Sequence, residues 1–188
     1  MRRSVKPDTF RLPPKEGFVR VDAARMDCLT AISRWEERYV LEETPAELST
    51  GTLRVLPDVR WRFRVVHLLA QDAEKQPAKA GLFRAAFLHE DERVESFFAP
   101  SPEEALRAAA AQAKACREDL AHTALFLDAP VTEALAACAI AGGHPVLVST
   151  ENPTDRAVAL AKRYRLNLLC AARPASVDIY ASRGVWAI

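Results

Sequence analysis

From residue 81 onward the chain alternates short apolar runs with alanine-rich stretches of helical spacing, joined by connections of only a few residues. That order restricts the fold more than any other feature. Phe83–Leu88 and Arg93–Phe98 flank His89-Glu90-Asp91-Glu92, the pattern of a hairpin with a charged turn. Ser101-Pro102-Glu103-Glu104 is a helix start, with Ser at the N-cap, Pro where its missing N–H costs nothing, and Glu104 closing a capping box. The helix is expected to reach Leu120, with a small face of Ala105, Ala108, Ala109, Ala113 and Cys116 that can lie close to a sheet, and with Lys114 and Arg117 complementing its dipole. Thr123–Leu127 reads as a buried strand, and Thr132 caps a helix through Ala141 that stops at Gly142-Gly143. Pro145–Ser149 is the next strand. Asn152 or Thr154 then opens a helix whose Ala157, Leu160, Ala161 and Tyr164 share one face. Leu166–Ala171 and Val177–Tyr180 are the last strands, joined by residues 172–176. The series β-β-α-β-α-β-α-β-β implies a layered α/β domain whose central strands are parallel.

The first eighty residues are less regular and read as a small α+β region, 1–80, ahead of the α/β domain at 81–188. Val59, Trp61, Phe63 and Val65 alternate with Arg60, Arg62 and Arg64 as in a half-buried strand, yet Val59, Phe63, Val66 and Leu69 also follow helical spacing behind Pro57-Asp58. The helix is the preferred reading. For the arginines a solvated face outweighs phosphate contact. Phe18–Val21 and Cys28–Leu41 fit strands, or a strand and a helix, and the chain before Pro14 is expected to be loose.

Charge and motif content exclude several function classes. Lys and Arg total 26 against 25 Asp and Glu, a net charge of +1 that gives no global pull toward nucleic acid or an anionic membrane. No apolar run approaches the length of a membrane span, and the start has no signal-peptide core, so a cytoplasmic protein is expected. Cys28, Cys116, Cys138 and Cys170 are scattered, with no C-x-x-C and no Cys/His cluster at metal-ligand spacing, so neither zinc nor a disulfide framework is expected. His67, His89, His122 and His144 read as surface or hydrogen-bonded structural residues. There is no G-x-S-x-G elbow, Walker loop or G-x-G-x-x-G. Zinc-deaminase chemistry needs a P-C-x-x-C that does not follow His89-Glu90. What remains is the set of loops beyond the carboxyl ends of the parallel strands, 128–132, 149–155 and 171–176. They carry Asp128, Thr132, Ser149, Thr150, Asn152, Thr154, Asp155, Arg173 and Ser176, groups that suit an anion or nucleotide better than they make a nucleophile. Helix capping is the plainer reading of Asn152, Thr154 and Asp155.

The stretch GGHPVLVSTENPTDRAVALAKRYRLNLLCAARPASVDIY, residues 142–180, resembles the C-terminal part of the formate dehydrogenase accessory sulfurtransferases, the FdhD/NarQ family. There a strand leads to an S-A-P-T loop, a helix of the form LAVELA, and a strand ending in R-G-x-R-x-N-V-Y. ALFLDAPVTEALAACAIAGG, 124–143, and GLFRAAFLHEDERV, 81–94, extend the likeness backward to about one hundred residues, and TLRVLPDV at 52–59 continues it less specifically. The resemblance implies a cytidine-deaminase-like three-layer α/β/α fold with a mixed sheet and a homodimer. It also implies handling of the molybdenum or tungsten bis-guanylyl-pterin cofactor, with the formate dehydrogenase apoenzyme and a cysteine desulfurase as partners. Retained are Thr132, Pro153, Thr154, Arg173 and Tyr180, with Asp178 where the family has Asn. The implied cofactor-binding set is Thr132, Ser149, Asn152, Thr154, Arg173 and Asp178: Arg173 for a phosphate, Thr154 and the amides of its helix start for phosphate or guanine, Asp178 for a guanine amino group. The family's C-x-x-C loop, which carries sulfur as a persulfide, is missing: the comparable stretch Glu42-Glu43-Thr44-Pro45-Ala46-Glu47 has no sulfur. The resemblance therefore implies an accessory protein that binds cofactor or apoenzyme without an intact relay. The alternatives are a non-catalytic interaction subunit with a vestigial pocket, and a sulfurtransferase using Cys28.

Overall fold

The order expected between residues 81 and 182 is the order observed. A computed structural model describes residues 18–22, 32–34, 40–44, 52–182 and 185–186. The described residues form ten strands: β1 (Phe18–Asp22), β2 (Ile32–Arg34), β3 (Trp61–Arg62), β4 (Phe83–Leu88), β5 (Val94–Ala99), β6 (Ala124–Leu127), β7 (Val146–Ser149), β8 (Asn167–Arg173), β9 (Ser176–Ala181) and β10 (Val185–Trp186). The α-helices are α1 (Phe63–Lys75), α2 (Pro102–Cys116), α3 (Glu133–Ala141) and α4 (Asp155–Tyr164). Six strands run β9-β8-β7-β6-β4-β5, and β1 and β2 extend the β9 edge to eight. Strands β6, β7 and β8 are mutually parallel and the remaining pairs of that sheet antiparallel, so it is mixed as expected.

The connectivity explains where the helices go. The crossovers β5-α2-β6, β6-α3-β7 and β7-α4-β8 all advance in one direction across the sheet. Right-handed crossovers that advance one way put their helices on one face, and α2, α3 and α4 share a core with Phe87, Leu125, Leu127, Leu147 and Leu168. The other face is covered by α1, whose Phe63, Val66 and Leu69 pack with Ala86, Phe126, Val148 and Leu169. Alternation within each strand supplies both cores, as in β4, where Ala85 and Phe87 face one layer and Ala86 and Leu88 the other. The strand order does not reverse among β6, β7 and β8, so no topological switch point lies there, and a site at the carboxyl ends must come from the loops themselves.

Several boundaries differ from expectation for local reasons. Helix α2 ends at Cys116, four residues before Leu120, because Arg117 takes a left-handed conformation (φ 55°) that closes the helix. Ala108 is exposed, and Leu106 joins Ala105, Ala109 and Ala113 on the buried face. Ser101 accepts from the Glu104 N–H at 3.2 Å, as its N-cap position requires. Between Val59 and Phe63 both periodicities hold in sequence. Val59, Trp61 and Phe63 are buried between exposed arginines, Trp61 sits in a two-residue strand beside β10, and the helix begins only at Phe63. Strands β8 and β9 run longer than expected, leaving Pro174-Ala175 as their turn. Among the described residues, no helix is long and apolar enough to cross a membrane.

Candidate functional site

The three loops singled out in sequence do meet, and a strand irregularity aims one of them. In β8, Ala171 is left-handed (φ 51°) within a break in register between Cys170 and Arg173. Such a bulge adds a residue to one strand and re-aims the side chains that follow. Cys170 belongs to the core of α2–α4, while Ala172, two residues on, belongs to the core of α1. Arg173 Nη1 then donates to Thr150 O at 2.9 Å and to Ala172 O at 2.7 Å, and the Ala171 N–H donates to Glu151 O at 3.2 Å. The Thr150 hydroxyl donates to Asp128 Oδ1, which ties the loop after β7 to the loop after β6.

Asp128, Thr150, Glu151 and Arg173, with Ala70 and Glu74 of α1, line a recess of about 150 Å³. Small-molecule pockets usually begin near 300 Å³. The recess gathers three carboxylates, Glu74, Asp128 and Glu151, around one guanidinium that already serves backbone carbonyls. Its electrostatics favour a polar or cationic group over an anion.

On the other side of the same sheet end, the starts of α3 and α4 lie side by side, and the strap 40–44 crosses them. The Leu41 N–H donates to Pro153 O and Leu41 O accepts from the Asp155 N–H, both at 2.9 Å. This places Glu43 Oε2 2.9 Å from the Glu133 N–H, which donates to it, and 2.6 Å from the Thr154 hydroxyl, which also donates. The Glu43 N–H in turn donates to Asp155 Oδ1 at 3.2 Å. Free N–H groups and the helix dipole make a helix start a natural seat for negative charge. Here a carboxylate of the chain itself takes that seat. Glu133 and Arg156 complete the cluster, with Arg156 Nε and Nη2 donating to the Glu133 carboxylate at 2.6 and 3.3 Å. That pairing raises the Arg156 pKa.

The expected binding residues are thus distributed rather than gathered. Thr132 caps α3, accepting from the Leu135 N–H, and Thr154 caps α4, accepting from the Ala157 N–H. Ser149 is wholly buried, donates to Ala129 O at 2.7 Å and accepts from the Glu151 N–H at 3.0 Å, which shapes the loop. Asn152 accepts from the Tyr180 hydroxyl at 3.5 Å. Asp178 stands opposite Cys170 on β9. Burial first, and the charge of Asp178 second, raise the Cys170 thiol pKa well above the ordinary range. Burial also raises Cys138, with Arg107 opposing. Cys28 lies outside the described residues.

Glu43 is the site residue that the sequence did not disclose. Its partners are 90 and 111 positions away, and no local pattern marks a carboxylate that will cap two distant helices. The arginine row resolves differently. Arg64 makes a two-point pair with Glu92 at 2.6 Å, while Arg60 and Arg62 line a second recess of about 500 Å³ with His89, His122 and Val146, at the opposite end of the parallel strands.

No protein-family model matches the chain, and no curated protein sequence matches it. Among solved structures it is similar to "a putative formate dehydrogenase accessory protein from Desulfotalea psychrophila", at a TM-score of 0.61 and 16% identity. The alignment covers 70% of this chain and 58% of that one, so the chain spans under two thirds of its structural neighbour. At that identity the likeness speaks for the fold, which is the layered α/β arrangement described above.

Proposed function

We propose that this chain is an accessory protein of formate dehydrogenase maturation that acts by binding the apoenzyme and carries no sulfur itself. The observation that carries this reading is the shared fold with "a putative formate dehydrogenase accessory protein", taken together with the motif resemblance within residues 81–180. The absence of a C-x-x-C loop from the sequence argues against a persulfide relay, as do the raised pKa values of Cys138 and Cys170, because only a thiolate attacks. The molybdenum or tungsten guanylyl-pterin cofactor belongs to this proposal as a ligand of the α3 and α4 starts, with Thr132 and Thr154 as contacts, and it requires Glu43 to leave its seat; Arg173, committed to backbone carbonyls in the recess on the other side, is not part of that seat. A second reading, an interaction subunit whose pocket is closed by its own chain, is favoured by the Glu43 contacts.

Co-expression with a formate dehydrogenase tests the role. The expected result is that the apoenzyme co-purifies with this chain and gains activity. Failure to co-purify together with failure to activate would remove the proposal. Calorimetry with GDP separates the two readings: Glu43→Gln binding GDP where the parent gives no heat at about 1 mM supports a closed cofactor seat. No heat from either leaves the interaction subunit. Persulfide labelling after incubation with a cysteine desulfurase tests the sulfurtransferase alternative, and a signal lost in Cys28→Ser would restore it.

A further inference from the structure

The turn between β4 and β5 and the end of α2 meet at the sheet end opposite the converging loops, and there the chain gathers nitrogen, sulfur and oxygen donors that sequence spacing did not signal. We infer that His89, Cys116 and Glu118 form a binding site for a divalent transition metal, zinc by preference. One donor atom from each lies within 4.8 Å of the others. The site is independent of the maturation role proposed above.

Local structure explains how three residues so far apart converge. Cys116 is the last residue of α2, and left-handed Arg117 turns the chain so that Glu118 reaches the same imidazole. His89 follows β4 directly, its side chain wholly buried and its ring 4.7 Å, centroid to centroid, from that of Phe87 at a steep angle. Glu118 Oε1 lies 2.5 Å from His89 Nδ1, and Glu118 Oε2 accepts from the Glu90 N–H at 2.9 Å. On the far side of the ring, Nε2 lies 3.1 Å from Glu95 Oε2. Metal-binding histidines commonly give their second N–H to a carboxylate, which fixes tautomer and orientation, and Glu95 stands where that partner belongs. Gln112, one turn before Cys116, donates to Glu95 Oε2 at 3.2 Å and to Cys116 Sγ at 3.6 Å, holding the outer carboxylate and the sulfur in register.

Hydrogen bonding alone accounts for a histidine between two carboxylates. The thiol, reached by Gln112, adds to that pair a third donor type that a divalent transition metal can use. A sulfur donor selects zinc, cobalt or copper over magnesium and calcium, and zinc accepts Cys, His and Glu together in tetrahedral sites. A divalent ion would meet one thiolate, one carboxylate and a neutral imidazole, the thiol proton leaving to solvent, while the Arg93 guanidinium, 3.4 Å from Nδ1, must draw back and the Glu95 carboxylate offsets its charge. Ligand bonds of about 2.0 Å would put Nδ1 and Oε1 roughly 3.3 Å apart, so metal entry opens that pair by just under ~1 Å. Three protein donors leave a fourth position for water. The arrangement differs from that of the zinc deaminases, since no P-C-x-x-C is present.

The test uses the full chain with any affinity tag removed. After equilibration with zinc and desalting, elemental analysis is expected to give one ion per chain. Cobalt(II) is expected to produce a thiolate-to-metal charge-transfer band that excess magnesium does not reduce. Cys116→Ser should abolish the band and weaken zinc about a hundredfold or more, Glu95→Gln should keep the band and weaken zinc about ten- to a hundredfold, and Cys138→Ser should change neither. Far-UV circular dichroism checks that each variant is folded, and the cobalt spectrum of the parent needs no variant. No band in the parent, a band that survives Cys116→Ser, or one lost in Cys28→Ser would overturn the site.

Discussion

Arg84 is the second residue of an otherwise apolar strand, its side chain is wholly buried, and its charge is supported first by Asp72 and then by Asp128. Nη2 donates to Asp72 Oδ2 and, at 2.9 Å, to Ser96 Oγ, and the guanidinium carbon lies 4.9 Å from the centre of the Phe126 ring. Nε and Nη1 meet no acceptor among the described residues. Burial lowers the Arg84 pKa and Asp72 opposes the shift. Removing one partner of a buried pair costs more than replacing both. Asp72→Ala is therefore expected to lose about 3–5 kcal/mol in urea denaturation, and Arg84→Met with Asp72→Leu far less. His144 gives a pH signature. It is buried, its Nδ1 has no partner among the described residues, and burial lowers its pKa from 6.5 to about 4. Between those values the unfolded chain takes up a proton that the folded chain refuses, so stability falls as pH drops from 6.5 toward 4 and is unaffected by this group above that window. The loss approaches roughly 3 kcal/mol. Denaturation across that range should show the limb in the parent and not in His144→Leu.

Helix ends carry the element-scale consequences. Thr154 both caps α4 and holds Glu43 against α3, so Thr154→Val removes an N-cap and a charged hydrogen bond together. A loss of about 1–2 kcal/mol is expected, mostly restored by Thr154→Ser, with thermal midpoints as the readout. The end of α3 is set by space as well as by backbone. Gly143 supplies the left-handed residue (φ 78°), while Gly142 has ordinary φ (−74°), but a Cβ there would stand 2.8 Å from the His144 ring. Gly142→Ala is expected to cost about 1–3 kcal/mol through that overlap, although its backbone suits any residue. An unchanged melting temperature would show that the buried ring gives way freely.

At the scale of the whole molecule the sheet divides two cores that share every central strand, with α1 over one and α2, α3 and α4 over the other. A cavity on either face should weaken the same cooperative unit. Leu69→Ala under α1 and Leu106→Ala under the α2 layer are each expected to cost about 2–5 kcal/mol and to leave one unfolding transition by circular dichroism and fluorescence. Two separated transitions in either variant would mean that the faces fold apart.

Sequence alone determined the order and type of the elements after residue 81, because each signal there is local: alternation within a strand, Ser101, Thr132 and Thr154 at helix starts, and Gly143 at a helix end. It also marked the loops that meet, since the carboxyl ends of neighbouring parallel strands fall together in any such sheet. Tertiary structure decided the occupant of the helix starts and the company of His89. Glu43 reaches residues 90 and 111 positions away, and His89 reaches Glu118 across 29 positions, so both clusters exist only once the sheet order has set which turns share an end. Periodicity encodes which face a side chain takes. It does not encode which distant side chain arrives there, because that depends on the crossovers.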